Sequence, residues 1–236
     1  MKKLLLFILP LFLLSCTKKE KLIKSERGAI DIISNIYFDA SKGLEDNKQF
    51  HISKINYIGD DIIELVPDIY VPEFIDSVFY IKDTTYYEAG ILEEAKTFIF
   101  KEHQLAGEPK NVFKKKYGAV WVNIPIFDYD KRKDIADTTL YENKHYKRFE
   151  INTEDNYTVF YIHPTDTIMP YSLNRIAEKD YKGRIERIDS YDKKRDLFST
   201  MWLIPRKELD KEAQDMFDYN AYIQEQFDKK KKEKNY

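Results

Sequence analysis

Glycine is scarce in this 236-residue chain, and its spacing excludes several function classes. The seven glycines stand at 28, 43, 59, 90, 107, 118 and 183, with no two closer than eleven residues. A dinucleotide fingerprint, a phosphate-binding P-loop and a Gly-x-Ser-x-Gly elbow each need two glycines within a few positions, because the backbone must turn sharply or approach a ligand closely. None of the three can be present. Cysteine is rarer still: Cys16 is the sole one, so the chain has no intramolecular disulfide and no Cys-x-x-Cys zinc spacing. Histidine is sparse too, and the four, His51, His103, His145 and His163, are at least eighteen residues apart. The local zinc spacing of a helical His-x-x-x-His pair is therefore missing. Charge of one sign is also lacking. With 39 basic against 41 acidic side chains, the formal net charge is −2, which gives no long-range attraction to nucleic acid.

What is present is the composition of a soluble globular domain, 43% apolar and 34% charged, with one long apolar run at the amino terminus. Lys2 and Lys3 precede Leu4 to Leu14, eleven apolar residues that would span about 16 Å as a helix, roughly half a bilayer's hydrocarbon core. That is too short to cross, and it has the charged and apolar regions of a secretory signal. The run ends in Leu13-Leu14-Ser15-Cys16, which resembles the lipobox of bacterial lipoproteins, with the bulkier Leu14 where a small residue is usual. The resemblance covers residues 1–16 only. It implies cleavage before Cys16, lipid attachment there and anchoring by two or more acyl chains. Thr17 after the cysteine, in place of aspartate, and the basic Lys18-Lys19-Glu20-Lys21 favour the outer membrane, on its periplasmic face. The expected organisation is a signal over 1–15, a lipidated cysteine and polar tether over 16–27, one domain over 28–228 and a lysine-rich flexible tail over 229–236.

The expected fold is α+β, an antiparallel, meander-rich sheet with a carboxy-terminal amphipathic helix. Tyr, Phe, Ile, Val and Thr crowd the middle of the chain and suit a pleated, half-buried surface. They predict strands near 50–58, 62–66, 77–87, 91–100, 119–127, 157–163, 184–191 and 196–204. Gly90 is expected at a hairpin turn, and Pro125 places its strand at an edge or a bulge. The last strand, apolar on both faces, is expected to be covered on both sides. Ala29, Ile32, Ile33, Ile36 and Ala40 fit a helical face or a strand equally. Leu209, Ala213, Met216, Phe217, Ile223 and Phe227 mark a helix over 206–228.

No catalytic or cofactor motif emerges. His163 and Asp166 are the one close His–carboxylate pair and stand as a weak catalytic or metal candidate, although His163-Pro164-Thr165-Asp166 also reads as a strand end followed by a turn. The adjacent pairs Asp60-Asp61 and Glu93-Glu94 read as turn and surface residues. The stretch from Asp83 to Glu88 echoes that from Asp137 to Glu142, most simply as shared turn and strand-start chemistry. Eighteen tyrosines and fifteen phenylalanines suit sheet cores, wet interfaces or sugar rings. The leading expectation is a non-enzymatic envelope lipoprotein, bound to membrane lipid through Cys16, with an envelope protein as partner. The alternatives are a carbohydrate- or substrate-capturing module using surface aromatics, and a hydrolase with a dispersed site.

Overall fold

In a computed structural model, residues 22–45, 48–141 and 143–233 are described. Cys16, the signal and most of the expected tether lie outside them. Isoleucine-rich 27–38, open between helix and strand by its pattern, is a strand (β2, Arg27–Phe38). The β-branched run keeps its side chains apart across a pleat more easily than against a helical turn. From it the chain zigzags through β3 (Lys48–Ile58), β4 (Asp61–Pro67), β5 (Ile75–Lys82), β6 (Thr85–Gly90) and the two-residue β7 (Lys110–Asn111). A second meander comprises β8 (Lys133–Leu140), β9 (Lys144–Asn152), β10 (Asn156–Pro164), β12 (Gly183–Asp192) and β13 (Leu197–Arg206). The two join because β13 pairs antiparallel with β2, from Leu197 opposite Phe38 to Arg206 opposite Ala29. The product is one eleven-stranded antiparallel sheet, ordered β7-β6-β5-β4-β3-β2-β13-β12-β10-β9-β8.

The expected α+β class and meander are thus present, with a terminal helix, α4, at Lys211–Glu233. Several local expectations are corrected. The span 91–100 is not a strand but carries two short helices, α1 (Leu92–Ala95) and the start of α2 (Phe100–Ala106). The hairpin turns at Asp83, which takes a left-handed φ of 54°, while Gly90 with φ of 85° closes β6 against α1. The 119–127 segment has no ladder partner among the described residues and is an extended crossover. Strand β13 is not covered on both sides: Leu203 is buried on one face, whereas Ile204 is 39% exposed on the other. The echo sits in unlike places, since Asp83 is in a turn and Asp137 within β8. Finally, α4 runs on through Lys229–Lys232, which were expected in a flexible tail.

Two cores lie on opposite faces of the sheet. On one face, Ile30, Ile55, Ile62, Phe149, Phe160 and Leu203 are buried by the 112–132 crossover and by the β10–β12 connection. That connection contains β11 (Thr167–Ile168), Tyr171 and α3 (Arg175–Tyr181). On the other face, Ile63, Leu65, Val78 and Tyr80 are covered by α1, Phe98, Phe100 and the Ala213, Met216, Phe217 stripe of α4. The edges are made unattractive for further pairing: β7 is very short, and β8 is irregular between Ile135 and Thr138 and carries charge.

The start of α4 is clamped by Asp210. Its carboxylate accepts from Arg206 Nη2 at 2.7 Å, Asn56 Nδ2 at 3.1 Å and Lys54 Nζ at 3.2 Å, and its N–H donates to Asn56 Oδ1 at 2.8 Å. Burial alone would raise the Asp210 pKa, but the Arg206 and Asn56 donors outweigh it and hold the carboxyl below its ordinary value. The stability this supplies is fully present above the unfolded value of about 3.9 and is lost as pH falls through the lower folded value. Asp210→Ala should therefore be destabilised at neutral pH. In denaturant titrations across pH, its deficit relative to the parent should shrink only in the acid limb. A deficit unchanged down to the acid limit would show that the carboxylate charge is not what clamps the helix.

Candidate functional site

On the crossover-covered face, a cleft of about 410 Å³ opens beside the distal ends of β2 and β3. Ile32, Ser34, His51, Ser53 and Met201 form its floor, and its walls are the β4–β5 loop and residues 116–120 of the crossover. Local bonds fix each wall. In the loop, Asp68 Oδ1 accepts the N–H groups of Tyr70 at 2.7 Å and Val71 at 2.8 Å, and the Asp68 N–H donates to Phe74 O at 2.8 Å. This Asx turn presents Tyr70, 91% exposed, together with Val71 and Phe74.

The other wall is pinned through a buried charge pair. Glu64, 0% exposed on β4, faces Lys115 with Nζ–Oε2 at 2.9 Å and Nζ–Oε1 at 3.0 Å. Ser53 Oγ donates to Glu64 Oε1 at 2.6 Å, and the Ala119 N–H reaches the same oxygen. The crossover can come this close only because residue 118 is glycine. Its φ is +74°, and a Cβ there would sit 2.1 Å from Glu64 Oε1. Tyr117 and Val120, both mostly exposed, flank this contact and face the cleft opposite the Tyr70 loop.

The cleft's chemistry suits binding. Ser53 is buried and its hydroxyl is committed to Glu64, Asp68 is spent on the turn, and Asp76 accepts from Ser77. Among the described residues no hydrogen bond links His51 to a carboxylate or hydroxyl, so no nucleophile–base relay is formed there. Nor do the described residues contain a group of three or more His, Cys, Asp or Glu able to hold a metal ion.

The His163–Asp166 candidate is not assembled into a pair. His163 lies at the end of β10, its Nδ1 is 3.2 Å from His145 O, and its ring packs by Tyr146. Asp166 is in the following turn, where its carbonyl accepts the Ile23 N–H at 2.9 Å. Sequence reasoning missed a closer pair, His145 Nε2 and Asp137 Oδ2 at 3.0 Å, which the β8–β9 pairing brings together. Both side chains are about half exposed, as a solvated surface pair would be. Cross-strand register was the missing information.

The tyrosines divide between two roles. Tyr80 and Tyr171 are buried cores with anchored hydroxyls, Tyr80 to Asp61 at 2.6 Å and Tyr171 to Val120 O at 2.8 Å. On the helix-free half of the other face, tyrosines cap carboxylates: Tyr146 to Glu186 at 2.9 Å, Tyr161 to Asp189 at 2.9 Å and Tyr157 to Glu150 at 2.9 Å. Burial, and secondarily these carboxylates, push the Tyr146 and Tyr161 phenols up, so they remain neutral donors. Arg187 lies 4.3 Å over Trp202 and 5.1 Å from the Tyr161 ring centre while pairing with Asp189 at 2.7 Å. With its charges paired internally, this face is a self-satisfied lattice.

Among the described residues no helix is long and apolar enough to cross a membrane. No family model matches the chain, and no curated protein matches it in sequence. Among solved structures it is similar to one described as "Structure of PNGF-II in C2 space group", at 10% identity and a TM-score of 0.28. The match covers 79% of this chain and 29% of that one, so this chain spans under a third of its length. A likeness this slight transfers neither fold nor function.

Proposed function

We propose that this protein is a lipid-anchored lipoprotein of the bacterial envelope, held by Cys16 at the outer membrane on its periplasmic side, with a non-enzymatic binding role. The cleft is its binding site, and an apolar segment of an envelope protein is the ligand. One observation carries this reading: a loop locked by its own Asx turn holds Ile69 and Tyr70 in solvent on one wall of the cleft, facing Tyr117 and Val120 on a wall pinned by a buried ion pair. Exposed apolar side chains gathered on ordered loops, with no internal partner, mark interaction sites. The mixture of aliphatic and aromatic groups suits a protein segment. The paired Tyr70 and Tyr117 favour a second reading, stacking of a sugar ring.

The test is cross-linking in native membranes, followed by identification of what is captured. Tyr70→Ala with Tyr117→Ala should abolish capture of one stoichiometric protein while leaving the melting temperature within about 2 °C, since exposed side chains contribute little to stability. Ile69→Ser with Val120→Ser separates the readings, because it removes apolar area from the two walls and spares both tyrosines. Lost capture supports the protein ligand. Retained glycan binding with no protein captured would replace it by the sugar.

A further inference from the structure

Residues 23–25 of the tether are fixed at the β3–β4 turn, and the part of α4 that leads to its lysines lines a groove that reaches the same turn. On one side, β1 (Ile23–Lys24) pairs with β11 through Ile23 N–H to Asp166 O and Ser25 N–H to Ile168 O. Lys24 Nζ meets Asp60 Oδ1 in the turn at 2.7 Å, and Ser25 Oγ meets the Tyr57 hydroxyl at 2.7 Å. On the other side, α4 from Phe217 to Phe227 lies along a groove whose sheet-side lining includes Ile58 and Asp61, the residues that flank this turn. Beyond Phe227 the helix continues to Glu233, exposing Lys229, Lys230, Lys231 and Lys232. Lys229 pairs with Glu225 at 2.6 Å, whereas Lys230, Lys231 and Lys232 form no ion pair among the described residues.

We infer that this end of the domain lies against an anionic phospholipid surface, with Lys230, Lys231 and Lys232 of α4 as a second, electrostatic attachment beside the lipidated cysteine. The inference rests on the reading of Cys16 proposed above. Six residues separate Cys16 from Ile23, so an extended chain lets the β1 corner stand at most about 25 Å from the lipid. The same corner exposes Leu22, Ile23 and Ile168, apolar groups suited to a headgroup boundary. Each lysine near an anionic surface adds about a five-fold gain in partitioning, and a tether that keeps the surface within reach makes that gain count. The cleft lies by the opposite strand ends, at Ser34, His51 and Pro67, and so opens away from the bilayer.

Because Cys16 is the only cysteine, its thiol in the unlipidated mature chain can be coupled to a maleimide-bearing lipid, which rebuilds the anchor in vesicles. Vesicles of phosphatidylcholine alone are compared with phosphatidylcholine–phosphatidylglycerol mixtures, and lysine acetylation rates are read by mass spectrometry. On the anionic vesicles Lys230–Lys232 should react several-fold more slowly than on neutral ones, and high salt should remove the difference. Lys42 and Lys194, in turns joined at the far end by Ser41–Asp196 bonds, should react equally on both. In an untethered sedimentation assay with the anionic vesicles, Lys230→Gln, Lys231→Gln and Lys232→Gln together should lower the bound fraction, with circular dichroism unchanged. Equal acetylation on the two compositions, or protection of Lys42 and Lys194 instead, overturns the inference. The intact mass of the protein from cells separately reports whether Cys16 carries lipid, so failure of the anchor and failure of the helix contact are told apart.

Discussion

Glu64→Ala should cost about 3–5 kcal/mol of unfolding free energy, among the largest effects of any single substitution in this chain. Lys115 is 1% exposed at its side chain, and its ammonium would lose its only counter-charge among the described residues. The Ser53 hydroxyl and the Ala119 N–H would lose the oxygen they share. Lys115→Met should cost a similar amount, because it strands the carboxylate instead. The pair is nonetheless poorly suited to be a net source of stability. Glu64 Oε2 has the Lys115 ammonium beside it but no well-aligned hydrogen-bond donor, so part of the desolvation cost is unreturned. Glu64→Gln combined with Lys115→Met keeps an acceptor for Ser53 and Ala119 and removes both charges. It should recover the greater part of either single loss, seen as strong coupling in a double-mutant cycle by urea titration. Strictly additive losses would show that the two charges do not act as a unit. The singles should also accelerate amide exchange over 115–121 and weaken capture at the cleft, because this pair holds the Tyr117 wall on the sheet.

That site shows where sequence reading reaches its limit. Alternation and β-branched density identified β3, β4, β10, β12 and β13 to within a few residues, since each has a buried face that the pattern must serve. The edge strand β8 was invisible for the opposite reason: Lys133, Asp134, Asp137 and Thr139 face solvent, and no apolar period marks them. The run from Ile91 to Phe100 misled because a short apolar stretch has no period long enough to separate helix from strand, and only the packing of Ala95, Phe98 and Phe100 under α4 decides it. The crossover at 119–127 has strand-like residues because it is extended and sets Ala119, Trp121 and Ile126 on the core while Val120, Val122, Ile124 and Phe127 stay exposed, yet it lies across the sheet and not within it. Likewise Glu64, fifty-one residues before Lys115, reads in isolation as one more charged residue in an apolar strand. Gly118 carried the available signal, an isolated glycine beside an apolar run, but the reason for it is a carboxylate on another strand. The cleft is long-range in the same sense, built from a loop and a crossover that meet only in the folded sheet.

Phe217→Ala should destabilise by about 3–5 kcal/mol, as truncation of a buried aromatic does. The ring is 7% exposed and stands edge-on to Phe100 at 5.9 Å and 84°. Phe100 in turn stacks on Tyr80 at 4.1 Å and 5°, so the cavity would open at the joint between α4, α2 and β5. Relaxation is restricted there. Asn220, one turn on, accepts the Phe100 N–H at 2.8 Å and donates to Phe98 O at 2.9 Å, and Asp210 fixes the helix start. A helix clamped on both sides of the void cannot slide in to fill it, which places the cost toward the upper end of the range. Phe227→Ala is the matched control. Its ring is 39% exposed, with Lys101 Nζ 5.6 Å from its centre, and its loss should cost under about 1 kcal/mol. Calorimetry on the two variants therefore divides α4 into a packed first half and a projecting second half. If Phe217→Ala left the midpoint unchanged and a partner were lost instead, the stripe would be an interface and not core. If Phe227→Ala were as costly as Phe217→Ala, the lysine-bearing end would be part of the folded core, and its availability to a lipid surface would have to be given up.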